Sequence, residues 1–209
     1  MSYVDEYSMI IAATDRKTSM LPFKEQIALI AKAKPDMIIL TERDLSPPEY
    51  NELATFCKEE CDENGVEFCA DKFTDVAKSL GVKAICLSLD DLRSGKPNGF
   101  DKIITTVRNE KEATEAERLG ATMLIFRDVF DLTCKSCRNA KGLATLRYML
   151  GAVDIPVVGA GGIFPDVFME VLASDTAGIC MREGFMRTKN PAAAVEAYRE
   201  AEDYFKKRR

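Results

Sequence analysis

The chain has 209 residues, no His, and 29 Lys plus Arg against 34 Asp plus Glu, for a formal net charge of −5. At 46% apolar and 30% charged it reads as one ordinary globular domain over residues 1–209, with a short basic tail at 206–209, neither disordered nor fibrous. The missing His excludes a Ser-His-Asp triad, a Cys-His pair, a His general base and a His-bearing zinc site within the chain.

Short β-rich runs alternate with amphipathic helical stretches along the whole chain. A first strand at 9–13 ends in Asp15-Arg16-Lys17, and a helix near 22–34 carries Phe23, Ile27, Leu29 and Ile30 on one broad apolar side. After a second strand at 37–40, Ser46-Pro47-Pro48-Glu49 supplies an N-cap, a first-turn proline and a capping-box glutamate for a helix to about 63. Asn64-Gly65 turns the chain into strand 66–70. Asp71 and a helix ending at Gly81 come next, then strand 84–87. The segment 88–100 has room only for a turn or a reduced helix. Strand 102–106, helix 109–119, strand 123–126 and a long polar excursion at 127–141 follow. Helix 142–150, strand 155–158, the run Gly159-Ala160-Gly161-Gly162, helix 165–173, strand 177–181 and helix 191–206 complete the series.

Eight βα units with near-continuous apolar strands predict an α/β fold, a compact (β/α)8 TIM barrel. An open doubly wound sheet is the competitor, but Asp15-Arg16-Lys17 stands where a glycine-rich dinucleotide loop would be. The start MSYVDEYS lacks the order of a signal peptide, and no apolar run approaches the ~20 residues of a membrane span. A cytoplasmic address is expected. So are seven reduced cysteines, mostly small buried side chains. Cys134 and Cys137 form a CxxC in a polar stretch, with a redox pair or half a zinc site as alternatives to an inert pair. Cys57 and Cys61 stand four apart on a helix, so four thiols exist if the two pairs meet.

In a barrel the loops after the strands share the functional face. Here those loops carry Asp15 and Arg16; Thr41, Glu42 and Arg43; Asp71 and Lys72; Asp90 and Asp91; Thr105, Thr106 and Arg108; Arg127, Asp128 and Lys135; Gly161 and Gly162; Arg182 and Glu183. Salt bridges between neighbouring loops explain such a rim without any ligand. Carboxylates interleaved with basic groups also suit a magnesium-assisted phosphate site. Asp71 and Asp91 end adjacent strands and are the candidate Mg2+ ligands, with Asp90 competing for the second place. Lys135 can neutralise a phosphate oxygen as a mobile point charge. Gly161 and Gly162 follow an apolar strand and precede a helix, so their N–H groups can face an anion; tight turn geometry alone is the other reading. Glu183 opposes a phosphate there unless Arg182 or a metal offsets it. The expected partner is a phosphorylated small molecule, with a second copy of the chain left open; nucleic acid and membrane are not expected.

The stretches Ala13-Thr14-Asp15-Arg16, Glu42-Arg43-Asp44-Leu45, Asp71-Lys72, Leu87 through Leu92, Val129-Phe130 with Lys135, and Ile155 through Ile163 resemble, in order and spacing, the thiamine-phosphate synthase family and its TenI-like relatives. The resemblance implies a (β/α)8 barrel that joins hydroxymethylpyrimidine diphosphate to hydroxyethylthiazole phosphate with Mg2+, releasing diphosphate. It implies Asp71 and Asp91 as metal ligands, Lys135 as a diphosphate lysine, Arg43 in place of a family lysine, Thr106 in place of a family serine, and Gly161 and Gly162 as the thiazole-phosphate turn. The chain departs from the family pattern at Ile39, Thr41, Ala70, Cys86, Leu132 and Glu183, which removes several expected donors. The rim arginines Arg16, Arg108 and Arg127 are the candidates to replace them. The alternative implied is a diverged barrel that takes another phosphorylated ligand or has become a non-enzymatic binding or regulatory protein. The TenI-type tautomerase activity uses a histidine that this chain lacks.

Overall fold

Strands rich in Ile, Val, Leu and Ala bury both faces, as a parallel sheet covered by helices requires, and closing that sheet on itself removes its edges. The computed structural model, which describes residues 8–130, 141–164 and 167–208, has this arrangement. Eight strands close in sequence order: β1 (Met9–Ala13), β2 (Met37–Leu40), β3 (Glu67–Asp71), β4 (Ala84–Ser88), β5 (Lys102–Val107), β6 (Met123–Phe126), β7 (Val157–Ala160) and β8 (Gly178–Met181). Every pair is parallel, and β8 returns to β1 with Met9 opposite Gly178. The helices are α1 (Phe23–Lys32), α2 (Pro47–Asn64), α3 (Thr74–Ser79), α4 (Leu89–Arg93), α5 (Glu110–Arg118), α6 (Lys141–Leu150), α7 (Phe168–Leu172), α8 (Glu183–Met186) and α9 (Pro191–Lys206). The (β/α)8 expectation holds.

The two-residue period of a strand divides the core into two layers. Ile11, Ala13, Ile39, Cys69, Cys86, Ile104, Ile125, Val158 and Cys180 fill the inside of the barrel. Their alternates, such as Ile10, Ala12, Ile38, Leu40, Ala70 and Ile85, pack outward against the helices. Helix ends follow local chemistry. At Ser46 the Glu49 carboxylate accepts from the backbone N–H at 2.9 Å and from the hydroxyl at 2.6 Å, and Gly65 closes α2 in the left-handed region at φ 71°.

Most element ends shift by only one or two residues from the sequence reading, and three differences bear on the site. The seventh strand lies at Val157–Ala160 rather than 155–158, because Pro156 has no N–H and acts outside the strand, its carbonyl accepting from Leu124 N–H at 2.9 Å. Gly159 and Ala160 therefore belong to the strand. The helix expected at 165–173 begins at Phe168, so Gly161 and Gly162 do not open it directly. The four-residue α8 was not expected; it is too short to show a hydrophobic period.

Candidate active site

The inward phase of the strands continues past their ends and selects the residues that meet at the barrel mouth. Counting by twos from the inner core leads from Ile39 to Thr41 and Arg43, from Cys69 to Asp71, from Cys86 to Ser88, and from Ile104 to Thr106 and Arg108. The same count leads from Ile125 to Arg127 and from Cys180 to Arg182. These side chains, with Gly161, Gly162 and Glu183, line one cavity of about 520 Å³. Ala13, Ile39, Cys86, Ile125 and Cys180 make an apolar floor beneath a polar rim. Such a volume suits a small-molecule ligand.

Arg43 is the centre of the rim's charge network. Its guanidinium donates to both oxygens of Asp71, Nε to Oδ2 at 2.7 Å and Nη2 to Oδ1 at 2.5 Å, and Nη1 reaches Asp91 Oδ2 at 3.1 Å. The sequence left Asp90 and Asp91 as alternatives, and the turn separates them. Asp91 caps the start of α4, its Oδ2 accepting from Ser88 N–H at 3.0 Å and Ser88 Oγ at 2.6 Å, whereas Asp90 pairs with Arg93 at 2.8 Å. Asp71 is 2% exposed, and burial pushes its carboxyl above the ordinary aspartate value against the pull of Arg43. Burial also raises Asp91, but the two Ser88 donors and Arg43 outweigh it and hold that carboxyl below its usual value. For Arg43, burial lowers the pKa, but the Asp71 hydrogen bonds and charge overcome it, so the guanidinium stays charged.

Asp71 is fixed from below by a residue the sequence reading missed. Tyr50, on α2 and fully buried, accepts from Asp71 N–H at 2.7 Å and donates to Leu40 C=O at 2.9 Å, tying the ends of β2 and β3 together. Nothing in the local sequence distinguishes Tyr50 from an ordinary aromatic on an apolar helix face. The Ser88-x-x-Asp91 spacing, by contrast, is a capping signal that can be read directly.

The remaining expected residues fall into three places. Thr106, Arg182 and Glu183 line the cavity. Arg16 does not. It is out of the inward phase and forms a bidentate pair with Asp44 at 2.6 and 2.9 Å, with Nη1 also 2.8 Å from the buried Glu42. Lys135, Cys134 and Cys137 lie outside the described residues.

Gly161 and Gly162 have φ of 91° and 61°, which favours glycine at both. A Cβ on Gly161 would stand 2.8 Å from Asp128 N, and one on Gly162 would stand 2.7 Å from both Cβ and O of Phe130. The chain after β6 is thus laid against this turn, with Val129 N–H donating to Ala160 C=O at 3.0 Å and Phe130 N–H to Gly161 C=O at 3.2 Å. Cys57, Cys61, Cys69, Cys86 and Cys180 are buried free thiols, and no group of three or more Cys, Asp or Glu that could hold a metal occurs among the described residues.

A family model described as "Thiamine monophosphate synthase" matches residues 9–185. The chain belongs to this family. Among relatives, the thiamine-phosphate synthase of Pyrococcus horikoshii is 30% identical over 207 residues, covering 95% of this chain and 96% of the relative. That of Coprothermobacter proteolyticus is 28% identical, covering 89% and 90%. The solved structure of a thiamine phosphate pyrophosphorylase from Pyrococcus furiosus superposes with a TM-score of 0.79 at 25% identity, covering 94% of this chain and 96% of that one. Membership in the thiamine monophosphate synthase family agrees with the closed eight-stranded barrel.

Proposed function

We propose that the chain acts as a thiamine-phosphate synthase, joining hydroxymethylpyrimidine diphosphate to hydroxyethylthiazole phosphate with release of diphosphate. The observation that carries this reading is the meeting of Arg43, Asp71, Ser88, Thr106, Gly161 and Gly162 around one cavity in a chain of that family. In this reading the whole chain works as one domain in the cytoplasm; no described helix is long and apolar enough to cross a membrane.

The donor set fits Mg2+ in its chemistry. Asp71 and Asp91 both pair with the Arg43 guanidinium, and their oxygens are the hard donors that Mg2+ takes. With both Asp71 oxygens on Arg43, that guanidinium would have to release at least one of them. When bound, the ion would neutralise diphosphate charge as the leaving group departs. Waters or ligand oxygens would complete its shell, since no group of three acids that could hold a metal occurs among the described residues.

The chain's own part is positioning and electrostatic stabilisation. The C–O bond between the pyrimidine methylene and diphosphate breaks, its electron pair leaving with diphosphate, and the thiazole nitrogen forms the new C–N bond. Arg43, Thr106 and Lys135 are assigned to the diphosphate. Gly161 and Gly162 are assigned to the thiazole phosphate; no backbone carbonyl among the described residues accepts from their N–H groups. Arg182 offsets the like charge of Glu183 at that end of the cavity. The apolar floor receives the faces of the rings. The reading is tested by measuring diphosphate binding with and without Mg2+ in wild type, Asp71→Asn and Asp91→Asn. Loss of the Mg2+ dependence in both variants supports it, and an unchanged dependence in both removes its metal site.

A further inference from the structure

Arg43, Arg93, Arg16 and Arg199 each spend their charge on a carboxylate. Arg108 and Arg127 line the same cavity as Arg43, yet among the described residues neither guanidinium meets a carboxylate. They are also mounted as a pair. Val107 and Phe126 are register partners on β5 and β6, and Arg127 N–H donates to Val107 C=O at 3.0 Å, so the two arginines leave adjacent strands at the same height. Both stand in the inward phase, Arg108 above Thr106 and Arg127 above Ile125.

Each base is fixed. Beyond Arg127, Asp128 takes φ 65° and the buried Val129 and Phe130 are bonded to the Ala160–Gly161 backbone. Beyond Arg108, Asn109 caps α5, accepting from Glu112 N–H at 3.0 Å, while the Glu112 carboxylate accepts from Arg108 N–H at 2.7 Å. Besides Asp71, which pairs with Arg43, the acids lining the cavity are Asp90, Glu112, Asp128 and Glu183. Of these, Asp90 is held by Arg93, and Glu112 takes a backbone N–H rather than a guanidinium. Two neighbouring guanidiniums without carboxylate partners repel each other, and an anion with several charged oxygens spanning both relieves that repulsion through bidentate bonds.

We propose that Arg108 and Arg127 form a polyanion clamp at the mouth of the cavity, taking up the diphosphate group and replacing the donors missing at Ile39, Thr41 and Ala70. The identity of the ligand as diphosphate rests on the synthase reading; the clamp itself rests on the geometry of the two arginines.

The test is calorimetric titration of inorganic diphosphate, with and without Mg2+, into wild type, Arg108→Gln, Arg127→Gln, the double variant and Arg118→Gln as a control on the outer face of α5. Melting curves establish that each variant is folded, and Arg127→Lys keeps the charge without the planar fork. We expect each single glutamine variant to weaken binding at least about tenfold, the double variant more, Arg127→Lys less, and the control not at all. Binding in wild type should also weaken with salt more steeply than in the double variant. Wild-type-like binding in both single variants overturns the clamp, as does wild type that binds no diphosphate. If the variants lose diphosphate binding but wild type forms no thiamine phosphate, the clamp stands and the synthase reading falls. If turnover persists with unchanged KM for the diphosphate substrate in both variants, the clamp falls and the synthase reading stands.

Discussion

Arg43 divides one guanidinium between two carboxylates, and Asp71, the more buried of the two, has no other charged partner among the described contacts. Removing Arg43 therefore leaves a desolvated negative charge, whereas Asp71→Asn leaves a neutral amide beside a partly exposed guanidinium. Arg43→Gln should destabilise the fold by about 3 kcal/mol, the low end for breaking a buried pair because Arg43 is part-exposed, and Asp71→Asn by less. Denaturant titration of the two variants checks that order. Tyr50→Phe is the complementary case. It keeps the ring against Phe73 but strands Asp71 N–H and Leu40 C=O, a loss of about 1–3 kcal/mol that differential melting should show as a Tm several degrees lower. At this scale the aspartates and Arg43 could be read from the sequence because they follow strand ends. Tyr50 could not, since its partners are backbone groups 10 and 21 residues away. Arg16 also follows a strand end, yet its phase turns it to Glu42 and Asp44; the distinction lies in the two-residue period and not in residue type.

The turn after β7 shows what element boundaries change. Reading the glycine run as the first turn of a helix placed an anion site on a helix end, but α7 starts at Phe168. The glycines serve first to admit the chain that follows β6. A matched pair separates conformation from packing. Gly65 and Gly162 both have left-handed φ, at 71° and 61°, but a Cβ at Gly65 meets nothing within 4 Å while one at Gly162 meets the Phe130 backbone. Gly65→Ala should cost about 1 kcal/mol, and Gly162→Ala about 1–3 kcal/mol more, measured by denaturant unfolding. Equal losses would mean the close approach to Phe130 does not constrain the turn. A second element-level tie, from the fully buried Gln26 on α1, runs from its Nε2 to Phe185 C=O at 2.7 Å and Thr188 C=O at 2.9 Å, fixing the segment after β8 that carries Arg182 and Glu183. Neither this tie nor α8 has a sequence signature, because the acceptors are carbonyls some 160 residues distant.

Across the whole molecule the closed barrel was legible from repetition: eight apolar runs alternating with helices leave no sheet edge once they pair in order. The interior of the barrel buries Cys69, Cys86 and Cys180, and the packing of α2 buries Cys57 and Cys61. Burial pushes the thiols of Cys57, Cys69 and Cys86 well above their usual value, and those of Cys61 and Cys180 up to about 12. These thiols stay protonated in the folded chain at pH values where the unfolded chain has already ionised them. Their contribution to stability is therefore complete below about pH 9 and is lost as pH rises from there toward about 12. Melting curves should show Tm falling through that alkaline window. Thiol titration at neutral pH should find no more than two reactive cysteines in the native protein and seven after denaturation. A native count near seven would contradict the burial of these side chains.

The central claim is that the residues gathered at the barrel mouth turn over two phosphorylated substrates, and one measurement addresses it directly. Purified protein is incubated with hydroxymethylpyrimidine diphosphate, hydroxyethylthiazole phosphate and Mg2+, and thiamine phosphate and diphosphate are both quantified over time. The account predicts equal amounts of the two products, dependence on both substrates, loss of turnover on chelation of Mg2+, and a rate lowered at least about tenfold in Asp71→Asn. No thiamine phosphate from a folded protein, or turnover indifferent to both chelation and Asp71→Asn, would contradict it.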